Sequence, residues 1–131
     1  MTADRRPVHG TWRLIAATAV DKDGRPIRDP YGPTPMGRIV LHESGRMMVM
    51  VCDGRLAMPD GTKRLHQFYG GNYRIEGDRL ITDVDVAIMT ERIGGQQIRK
   101  FEFDGDNLVL FPPRRADGEQ RRLVWRLEGP A

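Results

Sequence analysis

The feature that most constrains this 131-residue chain is its punctuation. Clusters of glycine, proline and aspartate interrupt it at short intervals, and apolar residues alternate with polar ones between the breaks. Such intervals fit strands and leave no room for a long amphipathic helix. Asp21-Lys22-Asp23-Gly24-Arg25, Glu43-Ser44-Gly45, Glu76-Gly77-Asp78 and Asp104-Gly105-Asp106-Asn107 each carry turn chemistry. They predict strands over about 11–20, 38–42, 46–52, 68–75, 79–87, 96–103, 108–111 and 120–127. Gly70-Gly71, inside the fourth, predicts a bulge or sharp bend. The fold class that follows is all-β: one domain over 1–131, with a single eight-stranded antiparallel barrel over about 10–127. About eight strands leave an interior with room for one small ligand.

Two connectors are longer. Pro26, Pro30, Pro33 and Pro35 exclude a central strand and predict a stiff loop crossing the open end of the barrel, with Tyr31 over the mouth. The stretch 53–63 reads as a connector with one helical turn before Pro59. The strand over 46–52 is apolar on both faces, so both sides are expected to be covered.

Composition narrows the function classes. The net charge is +3, from 21 Lys+Arg against 18 Asp+Glu, with the signs alternating along the chain. That describes a solvated surface without the basic, aromatic-interleaved face that nucleic acid requires. No stretch approaches the roughly 18 apolar residues of a membrane span. The opening Met1–Pro7 lacks the apolar core of a leader, which makes a cytoplasmic protein the expectation. A lone Cys52 excludes an intramolecular disulfide and reads as a small buried hydrophobe. His9, His42 and His66 lack metal-ligand spacing, and neither a phosphate loop, a dinucleotide fingerprint nor a nucleophile elbow is present. No cofactor is implied.

Several segments in this order resemble the bacterial and fungal lipocalin-like domain family. They are Gly10-Thr11-Trp12, the run Pro30-Tyr31-Gly32-Pro33-x-Pro35-x-Gly37, Gly45-x-Met47, and Tyr69-x-Gly71-x-Tyr73. Gly77-Asp78 and Gly95-x-Gln97-x-Arg99-x-Phe101-x-Phe103-x-Gly105 continue the likeness, which spans about Gly10 to Arg126. The resemblance implies a calycin-like barrel with an internal apolar pocket, in which the first-strand tryptophan plugs the floor under a late arginine, here Arg122 or Arg126. The chain departs from the family where histidines often stand on strand five, having Thr82 and Asp83, and where a tyrosine often stands on strand two, having Leu41.

Period-two alternation assigns faces. With Trp12 inward, Leu14, Ala16 and Thr18 follow, a lining that narrows in size toward the mouth. Leu123, Trp125 and Leu127 share one face of the last strand. Arg99 shares a face with Phe101 and Phe103 and therefore points inward. A buried guanidinium requires an acidic partner, and Asp83 or Asp85 on the adjacent strand is the candidate, forming a polar anchor for a ligand oxygen. The alternative is an internal or surface ion pair. The expected ligand site comprises Trp12, Leu14, Tyr31, Met48, Met50, Tyr73, Asp83, Asp85, Arg99, Phe101 and Trp125. No catalytic residue is assigned.

Three functions fit this sequence. The first is binding of a small apolar or amphipathic ligand. The second is an isomerase or cyclase of secondary metabolism using the Asp/Arg pair as acid and base. The third is a homodimeric interaction protein with a filled barrel. A cavity with an inward aspartate favours the enzyme, a cavity with arginine alone favours a binder of anionic ligands, and a solid interior favours the interaction protein.

Overall fold

In the computed structural model, which describes residues 7–129, eight antiparallel strands close into a barrel in chain order. They are β1 (Gly10–Val20), β2 (Pro35–Leu41), β3 (Arg46–Asp53), β4 (His66–Glu76), β5 (Arg79–Ala87), β6 (Gln96–Asp104), β7 (Asn107–Phe111) and β8 (Gln120–Gly129). Each strand pairs with its sequence neighbour, and β1 pairs with β8 to close the cylinder. The polar opening residues Met1–Arg6 lie outside the described residues. Most strand boundaries move outward by one to three residues from those expected, while β5 keeps its bounds and β2 ends at Leu41, one residue early; Pro35 heads β2, where a missing N–H costs the ladder nothing. No helical turn forms before Pro59; a short 3-10 turn instead occupies Thr90–Arg92, between β5 and β6.

The two ends differ in their connections. Tight turns join β2 to β3, β4 to β5 and β6 to β7 at one end. Stretches 21–34, 54–65, 88–95 and 112–119 join the remaining strands at the other. The short-turn end is filled by large apolar side chains. There Trp12, Leu41, Met47 and Leu108 are buried, and the Trp12 indole N–H donates to the Val8 carbonyl at 2.8 Å. Burying each large apolar side chain of this kind stabilises the fold by about 1.5–3 kcal/mol.

Among the described residues the ladders carry three register shifts: one skips Glu128 of β8 beside Trp12, and two more shape the walls. Leu14 pairs with Trp125 and Ala16 with Val124, so Ile15 is an extra residue in β1. This bulge reverses the parity: Ala17 and Ala19 turn inward, in place of the expected Ala16 and Thr18, though the lining stays small. The other lies at Gly70-Gly71, as the sequence indicates, where the β4–β5 register shifts. A Cβ on Gly71 would collide with the Asp83 carbonyl oxygen, so only glycine allows the strands to approach this closely.

The expected cover over both faces of β3 is not found. Met47, Val49 and Val51 are buried inside, whereas Met48 and Met50 are 38% and 51% exposed on the outer wall. Composition could not assign this strand, because both of its faces are apolar; pairing of Met47 with Leu41 and Val49 with Ile39 sets the parity. Neither Arg122 nor Arg126 stacks on Trp12. Arg122 reaches Asp104 at 3.4 Å, and Arg126 is exposed opposite Arg13, since both alternate with the inward Leu123 and Trp125.

Candidate functional site

The end bearing the long connections opens into a cavity of about 410 Å³, within the range of small-molecule sites. Its walls are apolar: Ile39 from β2, Val49 and Val51 from β3, Leu110 from β7, and Leu123 and Trp125 from β8. Tyr69 of β4 completes them. The rim is polar and cationic. β6 contributes Gln97 and Arg99, β8 Arg121, the 3-10 turn Arg92, and the β7–β8 connection Arg115. Among the described residues, no aspartate or glutamate lines this cavity.

The arginines are held unequally. Arg121 and Arg115 share Glu119, at 2.9 and 3.7 Å. Arg99 donates to the Gln97 side-chain carbonyl at 2.9 Å and to the Ile98 backbone carbonyl at 3.1 Å, and its guanidinium carbon stands 6.0 Å from the Tyr69 ring centroid. A cation over a ring face is attracted by the ring's negative quadrupole. With its amide oriented to accept, Gln67 takes hydrogen bonds from Arg92 at 2.6 and 3.3 Å. Arg99 and Arg92 are thus satisfied by neutral amides, and their positive charge is left without a carboxylate among the described residues.

Tyr31 roofs the cavity from the β1–β2 connection and is only 7% exposed. Burial raises its phenol above the ordinary 10.0, against an opposing pull from Arg121, Arg99 and Arg92, so three guanidiniums lie within electrostatic reach of this hydroxyl. The roof is latched to the β3–β4 connection. Gly32 has φ +71, and a Cβ there would meet the Asp53 carboxylate at 2.5 Å. Arg55 grips that carboxylate through Nη2 at 2.6 Å and Nε at 3.1 Å, holding its pKa below the usual range. Arg64 donates to the Asp53 and Arg55 carbonyls, and the Gly54 N–H donates to Thr34 across the gap.

The expected site residues divide into three groups. Tyr31, Arg99 and Trp125 border the cavity. Trp12, Leu14, Tyr73 and Phe101 face inward but fill the closed half, where the Tyr73 hydroxyl donates to the His42 carbonyl at 2.8 Å. Met48, Met50, Asp83 and Asp85 stand on the outer wall. Asp85 pairs there with Arg46, while Asp83 accepts from Arg74 and Gln96, because inward Thr82 and Val84 fix the alternation of β5. The expected Arg99–aspartate anchor therefore does not form.

Sequence reasoning missed Arg92, Arg121, Gln67, Gln97 and Asp53. Arg121 was accessible, since it continues the face of Leu123 and Trp125, and Gln97 likewise continues that of Arg99 and Phe101. Arg92 and Asp53 sit in or beside connections, where periodicity carries no information.

The lipocalin-like domain family matches residues 9–67 and 62–127 of this chain. Compared with the curated proteins and with the solved structures, the chain has no significant match. No helix among the described residues is long and apolar enough to cross a membrane. The closed antiparallel barrel and the family match, which covers nearly the whole chain, agree: this protein belongs to the lipocalin-like domain family.

Proposed function

We propose that this protein binds one small, mostly apolar molecule inside its barrel. The observation that carries the reading is the half-filled interior: side chains pack the end around Trp12, while the other end keeps a cavity of about 410 Å³ with apolar walls and a polar rim. An unfilled apolar cavity costs stability, and a ligand that occupies it recovers the lost contacts. At about 30 Å³ per water-sized group, the space suits a ligand of about a dozen heavy atoms.

The isomerase or cyclase reading requires an inward carboxylate, and Asp83 and Asp85 both stand outside. The interaction reading requires a solid interior. Binding explains the cavity with fewer additional requirements than either.

Native mass spectrometry of the purified protein, before and after incubation with decanol, tests this. A one-to-one adduct is expected, and Val51→Phe, which fills the cavity wall, is expected to remove it. Absence of any adduct, or an adduct that persists in Val51→Phe, rejects the barrel as the binding site.

A further inference from the structure

The rim carries more positive charge than the barrel needs for folding. Arg99 is inward on β6, between Gln97 and Phe101, in a position that an apolar residue could fill at lower desolvation cost. Arg121 continues the inward face of β8, and Arg92 is placed at the same opening by the 3-10 turn. The 3-10 turn, the β6 strand that follows it and the distant β8 thus deliver guanidiniums to one opening, beside the Tyr31 hydroxyl. Glu119 answers Arg121 and Arg115, while among the described residues Arg99 and Arg92 meet neutral groups: glutamine amides, a backbone carbonyl and the Tyr69 ring. Guanidiniums that converge on one opening and outnumber the carboxylates beside them are placed to accept an acid.

We infer that the ligand is an amphipathic carboxylate whose acidic head sits between Arg99, Arg92 and Arg121 while its apolar tail points toward Trp125. This rests on the binding reading above and adds the charge and orientation of the ligand. The guanidinium is planar and matches the two oxygens of a carboxylate. Arg99 and Arg92 have no acidic partner among the described residues, and the one Glu119 carboxylate is shared by Arg121 and Arg115, so the rim keeps a net positive charge for an anionic head to meet. The opening also determines direction: the walls below the arginines are apolar, so the tail enters first and the head remains at the rim, next to water.

Decanoate and decanol separate the two ideas, because they share a tail and differ in charge. Plain apolar burial favours decanol, the less hydrated of the pair. Calorimetric titration of the full chain is expected to give decanoate at least about tenfold tighter than decanol, the size of a charge-assisted hydrogen bond. In Arg99→Gln that margin is expected to collapse, through a loss of decanoate affinity rather than a gain in decanol affinity. Arg92→Gln, on a connection outside the strand ladder, is expected to reduce it without touching the fold.

Equal binding of the two, or tighter decanol, overturns the carboxylate while leaving the barrel as a binding site. A margin that survives both substitutions overturns the assignment of the head to these arginines. Failure of both probes to bind overturns the carboxylate and the binding reading together.

Discussion

Gly32 lies directly against the carboxylate of Asp53, so close that a Cβ on the glycine would stand 2.5 Å from Oδ2. This contact joins the connection that carries Tyr31 to the end of β3, and Arg55 holds the same carboxylate in place. Gly32→Ala is therefore expected to be strained twice, by its φ of +71 and by the clash. The backbone strain alone costs about 1–2 kcal/mol. Denaturant unfolding measures that loss, and ligand titration is expected to show weaker binding as the Tyr31 roof lifts.

The two tryptophans make a matched pair for separating a satisfied from an unsatisfied donor. The Trp12 indole N–H donates to the Val8 carbonyl, whereas that of Trp125 is buried without a partner among the described residues. Replacement by phenylalanine removes similar apolar area at each position. It also orphans a carbonyl in the first case and deletes an orphaned donor in the second. Trp12→Phe is expected to be the more destabilising by about 1–3 kcal/mol, read from urea midpoints at unchanged slope.

Stability is expected to fall at both extremes of pH, for opposite reasons. Hydrogen bonds from Arg55 and Arg46 hold the Asp53 and Asp85 carboxyls below their ordinary pKa. Their contribution is complete above the unfolded value of about 3.9 and is lost as pH falls through the lower folded values. Burial holds the Tyr31 phenol above 10.0, so its contribution is complete below that pH and is lost as pH rises through the raised value. Unfolding followed across pH checks both: Asp53→Asn flattens the acid limb, and Tyr31→Phe flattens the alkaline one.

The outer wall offers a contrast. Met50 is half exposed, and Asp85 is engaged by Arg46 at 2.5 and 2.7 Å on the solvent side. Met50→Gln is expected to change stability by no more than about 0.5 kcal/mol. Asp85→Asn is expected to leave ligand affinity unchanged. Val49→Gln, one residue away but facing the cavity, is expected to weaken both folding and binding; thermal melts and calorimetry discriminate the three.

Much of the barrel was legible because turn residues occur where strands must end, and a bulge glycine pair marks its own position. Arg99 could be turned inward because Phe101 and Phe103 share its face. Legibility stopped where a face is ambiguous. Met47 through Val51 is apolar on both sides, so nothing in the run itself separates Met48 from Val49. The extra residue at Ile15 shifts β1 by one place, and only pairing with β8 reveals it. Asp83 and Asp85 alternate with Thr82 and Val84, and the choice between these faces depends on the register with β6 rather than on composition. The Asp53 latch is tertiary: its partners come from the β3–β4 connection and from Gly32, two segments brought together only by the closed barrel.

The division between a tightly turned end and an open, long-looped end separates what holds this chain together from what it selects. Doubling a loop costs only about 0.6 kcal/mol in closure entropy, whereas a one-residue slip in a ladder turns a whole strand inside out. Arg92, Arg115 and Tyr31 all hang from connections on the tolerant side. Insertions, deletions and exchanges there can redraw the entrance while the cylinder stays intact. Among lipocalin-like chains of this architecture, ligand preference is therefore free to diverge much faster than fold.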